Sequence, residues 1–375
     1  EVIISRNITA PLAKKINNIG IPGIEFIPVK KRFYPHKELT SHYVGHVNLE
    51  MNGVFGAERS FNKLLKNGEN VNLAIDIRIQ YAVRNELKKA IEKYKAKSAT
   101  SIIIDINSGE ILSLVSIPDF NPNLSIDSNS DSYRNTATLN LYEMGSTFKI
   151  FSIAAAIEKS EINLETKFDA SKPIKISNHL IKDYHPQNRI LSTKEIFLKS
   201  SNIGSSLIAL KLGNIELKKF YKELGLLSLS KINLLEKTKP IIPKKWGEAE
   251  TATLSFGHGL SISPIQMVEA ASILFINNKT FVPTIKKVKN VNEINKTKII
   301  SKKTNNILKS LMYENTIEGT AQRAKIKGYY IGGKTATGEK VNDKGLYDKT
   351  KLVSSFLSVF PINEPKYISL VLFDE

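Results

Sequence analysis

Cysteine is absent from the 375-residue sequence, tryptophan occurs once, and no long hydrophobic run is present. Without cysteine, these residues form no disulfide and offer no thiolate ligand to zinc. The longest apolar run is far shorter than the roughly 20 residues that span a bilayer, and no signal peptide is visible. Hydrophobic residues still make up 41% of the sequence, which is enough for one large domain and a smaller one.

Acidic residues are scarce relative to basic ones, since 36 aspartates and glutamates face 54 lysines and arginines for a net charge of +18. The lysines are spread through the whole sequence and form no basic stripe, and no aromatic cluster offers a platform for stacking bases. We therefore expect no nucleic-acid partner. A cationic surface would equally suit anionic lipid headgroups or peptidoglycan.

A serine and a lysine three residues apart, Ser146 and Lys149, precede a strongly apolar run. The run predicts a buried helix, on which this spacing places both side chains on one face. A serine is a weak nucleophile until a neighbouring base takes its proton, and a desolvated lysine has a lowered pKa that suits this role. Taken alone, the segment is more typical of a serine helix cap followed by a solvated lysine.

Two later segments have side chains that complement this pair. Ser200-Ser201-Asn202 lies between two apolar stretches, where a second serine can relay a proton and an asparagine can bind a peptide backbone. Lys334-Thr335-Ala336-Thr337 follows two glycines and reads as a strand, whose edge can bind a substrate peptide as an added strand. The backbone N–H groups of Ser146 and Thr337 would then hold an acyl oxyanion.

Residues 328–335 also match the phosphate-loop pattern G-x-x-x-x-G-K-[ST] in full. That motif requires a buried strand before it and a helix that begins at the lysine. The residues before Gly328 are polar and basic, and those after Thr335 contain further glycines without a helical period. The context therefore argues against a nucleotide hydrolase.

The three segments resemble the S-x-x-K, S-x-N and K-T-G motifs of penicillin-binding proteins and serine β-lactamases. The separation of 134 residues between Ser200 and Lys334 is too long for a class A β-lactamase. The context of Asn202 and the sequence Gly338-Glu339-Lys340 resemble the division-specific class B enzymes. Other family-like segments extend the resemblance over nearly the whole chain: residues 32–35 and 53–58 (the pedestal domain), 99–123, 256–266 and 319–321.

The resemblance implies an α+β fold: a penicillin-binding/serine β-lactamase-like transpeptidase domain, with an antiparallel sheet flanked by helices and an all-helical subdomain. Residues 1–68 would form a partial N-terminal pedestal (dimerisation-type) domain, and residues 69–375 a transpeptidase domain that lacks its C-terminal end. We also expect a membrane anchor in a segment absent from this sequence. The catalytic domain would then lie in the periplasm, at the bacterial inner membrane.

The implied function is septal peptidoglycan cross-linking. Ser146 would attack the D-Ala-D-Ala stem peptide with Lys149 as the base, and Ser200 and Lys334 would pass the proton to the departing D-alanine. The substrate-binding side chains would be those of Asn202, Thr335 and Thr337. An amine of a neighbouring stem peptide would resolve the acyl-enzyme, and β-lactams would acylate the serine covalently.

The same resemblance implies no cofactor and no metal, and partners that include a membrane glycosyltransferase and other division proteins. Two alternatives remain open: a catalytically weak or silent relative that acts as a division scaffold, and an elongation-type class B transpeptidase. The sequence departs from the family pattern at Ala336, where glycine is usual; a methyl group there could tilt the substrate, weaken its binding or point away without effect.

Local patterns add further expectations. Residues 78–94 have a helical apolar period, residues 24–29 and 70–75 read as strands, and residues 125–131 read as an exposed loop over the site. His42 and His46 lie in a short strand-like context, which does not favour a metal site. His258 lies between two glycines and reads as a structural hydrogen-bonding residue.

Overall fold

A five-stranded antiparallel sheet is the framework of the computed structural model, which describes residues 2–6, 8–124, 130–177, 179–276, 282–289, 299–341 and 347–375. Its strands are β3 (Ser98–Asp105), β4 (Ile111–Ile117), β11 (Gly332–Val341), β12 (Tyr347–Phe360) and β13 (Tyr367–Asp374). Their order across the sheet is β11-β12-β13-β3-β4. Within the described residues, β11 therefore has a partner strand on one side only.

Short strands accompany the main sheet as four separate two-stranded pairs. They are β1 (His46–Val47) with β2 (Gly53–Phe55), β5 (Tyr142–Glu143) with β10 (Ser261–Ile262), β6 (Lys167–Asp169) with β9 (Ile190–Ser192), and β7 (Ile174–Ile176) with β8 (His179–Ile181).

The helices cover both faces of the main sheet and build a second layer beside it. They are α1 (Ala10–Asn17), α2 (Ser41–Val44), α3 (Gly56–Ser60), α4 (Asn62–Lys66), α5 (Ile77–Tyr94), α6 (Thr136–Leu139), α7 (Lys149–Glu158), α8 (Thr193–Lys199), α9 (Asn202–Leu212), α10 (Asn214–Glu223), α11 (Glu248–Leu254), α12 (Pro264–Phe275) and α13 (Lys302–Ile317). The described residues also contain four 3₁₀ turns: Lys37–Thr40, Asp131–Tyr133, Gly145–Phe148 and Gln322–Ala324.

Side chains alternate between the two faces of the sheet along each strand. Both faces carry buried apolar residues. One face packs on α5 through a small cluster that contains Leu87 and Val115. The other face joins the main core, which includes Ile102 and Leu370 and extends under α12 and α13. The helix predicted over residues 78–94 is confirmed as α5, which begins after Asp76 because this side chain accepts a hydrogen bond from the backbone N–H of Arg78.

Helix α7 lies at the centre of the helical layer and packs against α9, α10 and α13. Nine of its ten residues are buried, which confirms the buried helix predicted after Lys149. Since the 3₁₀ turn Gly145–Phe148 immediately before α7 packs against β11, the N-terminal end of α7 lies at the junction of the sheet and the helices. Within the described ranges, no helix has the length and apolarity needed to cross a bilayer.

The strand predictions for the N-terminal region are wrong. Residues 24–29 pair with no described strand, and their apolar side chains, such as Ile27 and Val29, are exposed. Residues 70–75 form no strand either, because only Leu73 makes an isolated bridge, to Lys286. In the predicted loop over residues 125–131, residues 125–129 lie outside the described part of the chain, and Asp131 begins a 3₁₀ turn.

Candidate active site

Ser146 lies in the 3₁₀ turn Gly145–Phe148, immediately before the first residue of α7. Gly145 has a positive φ of +55°, and the hydroxyl of Thr147 donates a hydrogen bond of 2.7 Å to the Met144 carbonyl. These two features turn the chain sharply into the helix. The turn leaves Ser146 half-buried and therefore reachable, whereas Lys149 at the start of α7 is fully buried.

The Lys149 amine is surrounded by oxygen atoms from two of the predicted segments. Its Nζ lies 2.9 Å from Ser146 Oγ, 3.1 Å from Ser200 Oγ, 2.6 Å from the Ser200 carbonyl oxygen and 2.8 Å from Asn202 Oδ1. The spacing expected from an i, i+3 pair is thus realised as a direct hydrogen bond. This contact allows proton exchange between the serine and the amine.

Ser200 lies at the junction of two helices and has the left-handed conformation, with φ at +59°. Such a conformation is costly for a residue other than glycine and often occurs at functional sites. Ser201 then caps α9 by accepting a hydrogen bond from the Gly204 N–H, so that Asn202 is the first residue of that helix. The sharp change of direction presents the side chains of Ser200 and Asn202 to the same amine.

Lys334 reaches the same hydroxyl from the sheet. Its Nζ donates a hydrogen bond of 3.0 Å to Ser200 Oγ and a second of 3.2 Å to the Thr335 carbonyl, and it lies 5.8 Å from the centre of the Phe197 ring. Lys334 is fully buried, like Lys149. The structure therefore brings all three predicted segments together, with the Ser200 hydroxyl between two buried lysines.

Burial decides the protonation of both lysines. Desolvation lowers the pKa of Lys149 well below its usual value, and the nearby cation of Lys334 lowers it further. Burial also lowers the pKa of Lys334 to about 7. An uncharged amine beside a serine hydroxyl is a competent general base at neutral pH, because its lone pair can accept the hydroxyl proton.

Within the described residues, β11 forms one edge of the main sheet. Thr335 and Thr337 alternate with the buried Lys334 and Ala336 along this strand, and Thr337 is exposed. The strand lies close to the turn that carries Ser146, since a Cβ atom built on Gly145 would be 3.4 Å from the Thr337 carbonyl oxygen. The backbone of Thr337 is therefore a neighbour of Ser146.

The Ala336 methyl group lies on the buried side of β11. Ala336 is 6% exposed, and its Cβ would lie 3.5 Å from a Cβ built on Gly145. Two positions later, a Cβ built on Gly338 would lie 3.3 Å from the Glu143 carbonyl oxygen. The extra methyl thus packs beneath the nucleophile turn, and glycine instead occupies the tighter position at 338.

Replacing Ala336 by Gly should affect folding more than reaction with a penicillin. Loss of one buried methyl and the added freedom of glycine should lower the free energy of unfolding by about 1–2 kcal/mol. Urea unfolding and the acylation rate with a labelled penicillin test both parts. Ala99→Gly, a buried position on β3 remote from Ser146, should give a similar loss. Equal stability of Ala336→Gly and the parent protein would contradict the packing role.

A close backbone approach supports the nucleophile turn from beneath. Gly257 has a φ of +84°, and a Cβ built on it would lie 2.3 Å from the Gly145 carbonyl oxygen. The next residue, His258, has a pKa lowered to about 4 by burial and by the Lys149 cation. His258 is therefore neutral near pH 7 and adds no positive charge beside the two lysines.

Three residues that the sequence did not single out as site residues support the predicted ones. Asp183 accepts hydrogen bonds from Ser201 and the start of α9. Thr320 Oγ1 accepts from Thr335 Oγ1 at 2.9 Å, and the buried Asn315 amide donates to the Gly333 carbonyl at 2.8 Å. The family-like motif at residues 319–321 could have indicated Thr320. No sequence signal pointed to Asp183 or Asn315, because their partners are distant in the sequence.

The remaining sequence candidates lie outside this site or in a secondary structure other than the one their motif requires. Lys334 lies within strand β11 and not at the start of a helix, which contradicts the phosphate-loop geometry. His42 lies in the short helix α2 and not in a strand, and its Nε2 is 2.9 Å from the Ser132 carbonyl oxygen. His46 lies in β1, where its Nε2 is 2.5 Å from the Tyr133 hydroxyl.

A serine hydroxyl 2.9 Å from a buried lysine amine, beside the edge of a sheet, is the arrangement typical of serine enzymes that form acyl-enzymes through a Ser–Lys pair. Residues 99–375 match the family model of the penicillin binding protein transpeptidase domain. The chain therefore belongs to the penicillin-binding protein transpeptidase family.

Similar proteins include "Probable peptidoglycan D,D-transpeptidase FtsI" of Caulobacter vibrioides, which is 33% identical over 96% of this chain and 63% of its own length. The Escherichia coli K12 protein "Peptidoglycan D,D-transpeptidase FtsI" is 27% identical over the whole of this chain and 68% of its own length. The chain thus spans about two thirds of these relatives.

Solved structures agree with the fold. The transpeptidase domain of Burkholderia pseudomallei penicillin-binding protein 3 has a TM-score of 0.73 and 28% identity, and it covers 81% of this chain and 88% of its own. Penicillin binding protein 3 of Mycobacterium tuberculosis in complex with aztreonam has a TM-score of 0.83 at 20% identity, with coverages of 92% and 84%. At that identity the second match speaks for the fold alone.

Proposed function

We propose that this protein is a division-specific peptidoglycan D,D-transpeptidase that cross-links stem peptides at the septum. The observation that carries the proposal is the 2.9 Å contact between Ser146 Oγ and the buried Lys149 amine. Membership of the family and similarity to relatives named FtsI support the same assignment. Because the chain spans only part of those relatives, this activity is proposed for the protein as a whole.

In the proposed acylation step, Ser146 Oγ attacks the carbonyl carbon of the penultimate D-alanine, and Lys149 accepts the hydroxyl proton. The peptide bond to the terminal D-alanine then breaks, and the departing nitrogen receives a proton through Ser200, whose hydroxyl contacts both Lys149 and Lys334. The product is an ester between the donor peptide and Ser146. A second stem peptide supplies an amine that attacks this ester, and the serine regains its proton.

The donor peptide would bind as an added strand along the free edge of β11. Thr335 and Thr337 would hold it through their side chains, and Asn202 would bind its backbone from the opposite side. The backbone N–H groups of Ser146 and Thr337 would hold the oxyanion, and loss of one such donor typically costs about 2.7–4 kcal/mol of transition-state stabilisation. The close approach of the Thr337 backbone to Gly145 supports this choice of oxyanion donors.

The proposed setting is the periplasmic side of the bacterial inner membrane, with an anchor outside this sequence. The partners would be peptidoglycan stem peptides, a membrane glycosyltransferase and other division proteins. Residues 1–68 would be the pedestal remnant and residues 69–375 the transpeptidase domain. Similarity to relatives named FtsI, together with the pedestal-like segments at residues 32–35 and 53–58, supports this organisation.

A fluorescent penicillin tests the proposed activity directly. We expect one covalent adduct per folded molecule and no adduct on Ser146→Ala, because the β-lactam carbonyl is attacked by the same hydroxyl. Intact-protein mass spectrometry and peptide mapping would locate the adduct. Absence of an adduct on the folded parent protein would favour the catalytically silent scaffold, and an adduct on Ser146→Ala would exclude Ser146 as the nucleophile.

A further inference from the structure

Asp183 follows strand β8 and is buried at the N-terminus of α9. Its Oδ2 accepts a hydrogen bond of 2.8 Å from the Ser201 hydroxyl, and its Oδ1 accepts from the backbone N–H groups of Asn202 at 2.6 Å and Ile203 at 2.9 Å. The first N–H groups of a helix have no partner within the helix, so one carboxylate supplies what this helix start lacks. It also places a negative charge where the helix dipole favours one.

The same short segment fixes the orientation of Asn202. Asp183 holds the backbone N–H of Asn202, while the preceding Lys182 carbonyl accepts a 3.2 Å hydrogen bond from Asn202 Nδ2. Since an amide has distinct donor and acceptor ends, this contact directs Oδ1 towards Lys149 Nζ, at 2.8 Å. A chain of two hydrogen bonds therefore connects the Asp183 carboxylate to the general base.

Three titratable groups from different parts of the chain surround Lys149. Lys334 on β11 lowers the pKa of Lys149, whereas Asp183, which follows β8 and contacts the N-terminus of α9, raises it. His258, after α11, has its own pKa lowered to about 4 and is neutral near pH 7. Asp183 is thus the acidic group that opposes the effect of Lys334.

We infer that Asp183 is a positioning residue for acyl transfer, which orients Asn202 beside the Lys149 amine and offsets the charge of Lys334. This inference rests on the proposed function, because its readout is acylation of Ser146. It assigns a role to a residue outside the three sequence motifs, and the role has a geometric part and an electrostatic part that different substitutions can separate.

Asp183→Asn removes the charge but keeps the shape and the Oδ1 acceptor for both backbone N–H groups. The carboxylate stabilises protonated Lys149, so its removal lowers the pKa of this lysine, and the free amine then persists to lower pH. The acid limb of the pH profile of acylation by a fluorescent penicillin should therefore move to lower pH. A purely structural role would change the rate without moving this midpoint.

Two matched variants separate charge from geometry. Asp183→Glu keeps the charge but displaces the acceptors, so the plateau rate should fall while the midpoint stays in place. Ser201→Ala removes one hydrogen bond to Asp183 without changing any charge, and its midpoint should also match that of the parent protein. Thermal unfolding of each variant, followed by penicillin titration, establishes the fraction of protein that is folded and competent.

An unmoved midpoint in Asp183→Asn, or an equal shift in Ser201→Ala, would overturn the electrostatic part. An unchanged plateau rate in Asp183→Glu would overturn the positioning part, and this holds even if Asp183→Asn does not fold. The proposed function fails separately, since it would be refuted by a parent protein that forms no penicillin adduct at any pH.

Discussion

Replacing Lys149 by Met should lower the rate of penicillin acylation by about 10³-fold or more, because general-base catalysis contributes about 10²–10⁴-fold. Methionine fills a similar volume but leaves the Ser146 hydroxyl without a proton acceptor at 2.9 Å. Stopped acylation reactions analysed by gel fluorescence would measure the rate. We expect the thermal unfolding midpoint to change little, because removal of a buried amine offsets the lost hydrogen bonds.

Lys159 provides the control for this variant. It caps the other end of the same helix, and its amine makes a surface ion pair of 2.6 Å with Glu216. Exposed pairs of this kind contribute little to stability. Lys159→Met should therefore be acylated at the parental rate. A Lys149→Met protein that reacts within tenfold of the parent would show that another group takes the Ser146 proton.

Replacing Gly257 by Ala should damage both the fold and the reaction. The new Cβ would lie 2.3 Å from the Gly145 carbonyl oxygen, which is backbone and can yield only if the nucleophile turn moves. We expect a loss of roughly 4 kcal/mol or more in the free energy of unfolding, the range typical of severe backbone or core disruption. Misplacement of Ser146 by about 1 Å should slow acylation about 10²-fold.

Gly259 is a close match for comparison. It has a similar φ of +91°, but a Cβ there would come no nearer than 3.7 Å to the Thr253 hydroxyl oxygen. Gly259→Ala should therefore cost only the strain of the left-handed conformation, about 1–2 kcal/mol. Urea denaturation and acylation assays on both variants separate backbone strain from the clash. Equal losses in the two variants would contradict the proposed support of the nucleophile turn.

The parts of the site that the sequence predicted depend on local geometry. Ser146 and Lys149 are three residues apart, and helical geometry alone brings their side chains together. The apolar run after Lys149 and the period of α5 are likewise local signals, and both helices formed as expected. The meeting of the three motifs was predicted by the family resemblance, since no local rule brings Lys334 to Ser200.

The parts that the sequence did not predict depend on long-range packing. Asp183 is one acidic residue in a polar loop, and its partners become visible only when α9 is placed against that loop. The methyl group of Ala336 packs close to Gly145, nearly 200 residues earlier in the sequence, so its surroundings are visible only in the folded chain. Apolar residues at 24–29 favoured a strand, but a strand needs a partner, and the described residues supply none.

The position of Ser200 between two lysines has a consequence for the movement of protons. Its hydroxyl has one hydrogen and two acceptor lone pairs, and the amines of Lys149 and Lys334 lie 3.1 Å and 3.0 Å from its oxygen. A protonated amine on one side donates to this oxygen, while the hydroxyl hydrogen points to the neutral amine on the other side. When the protonated amine passes a proton to this oxygen and the hydroxyl passes its own hydrogen to the neutral amine, the positive charge moves from one lysine to the other and Ser200 is again a hydroxyl. The two amines, one on a helix and one on a strand, therefore share one proton as a single two-site acid.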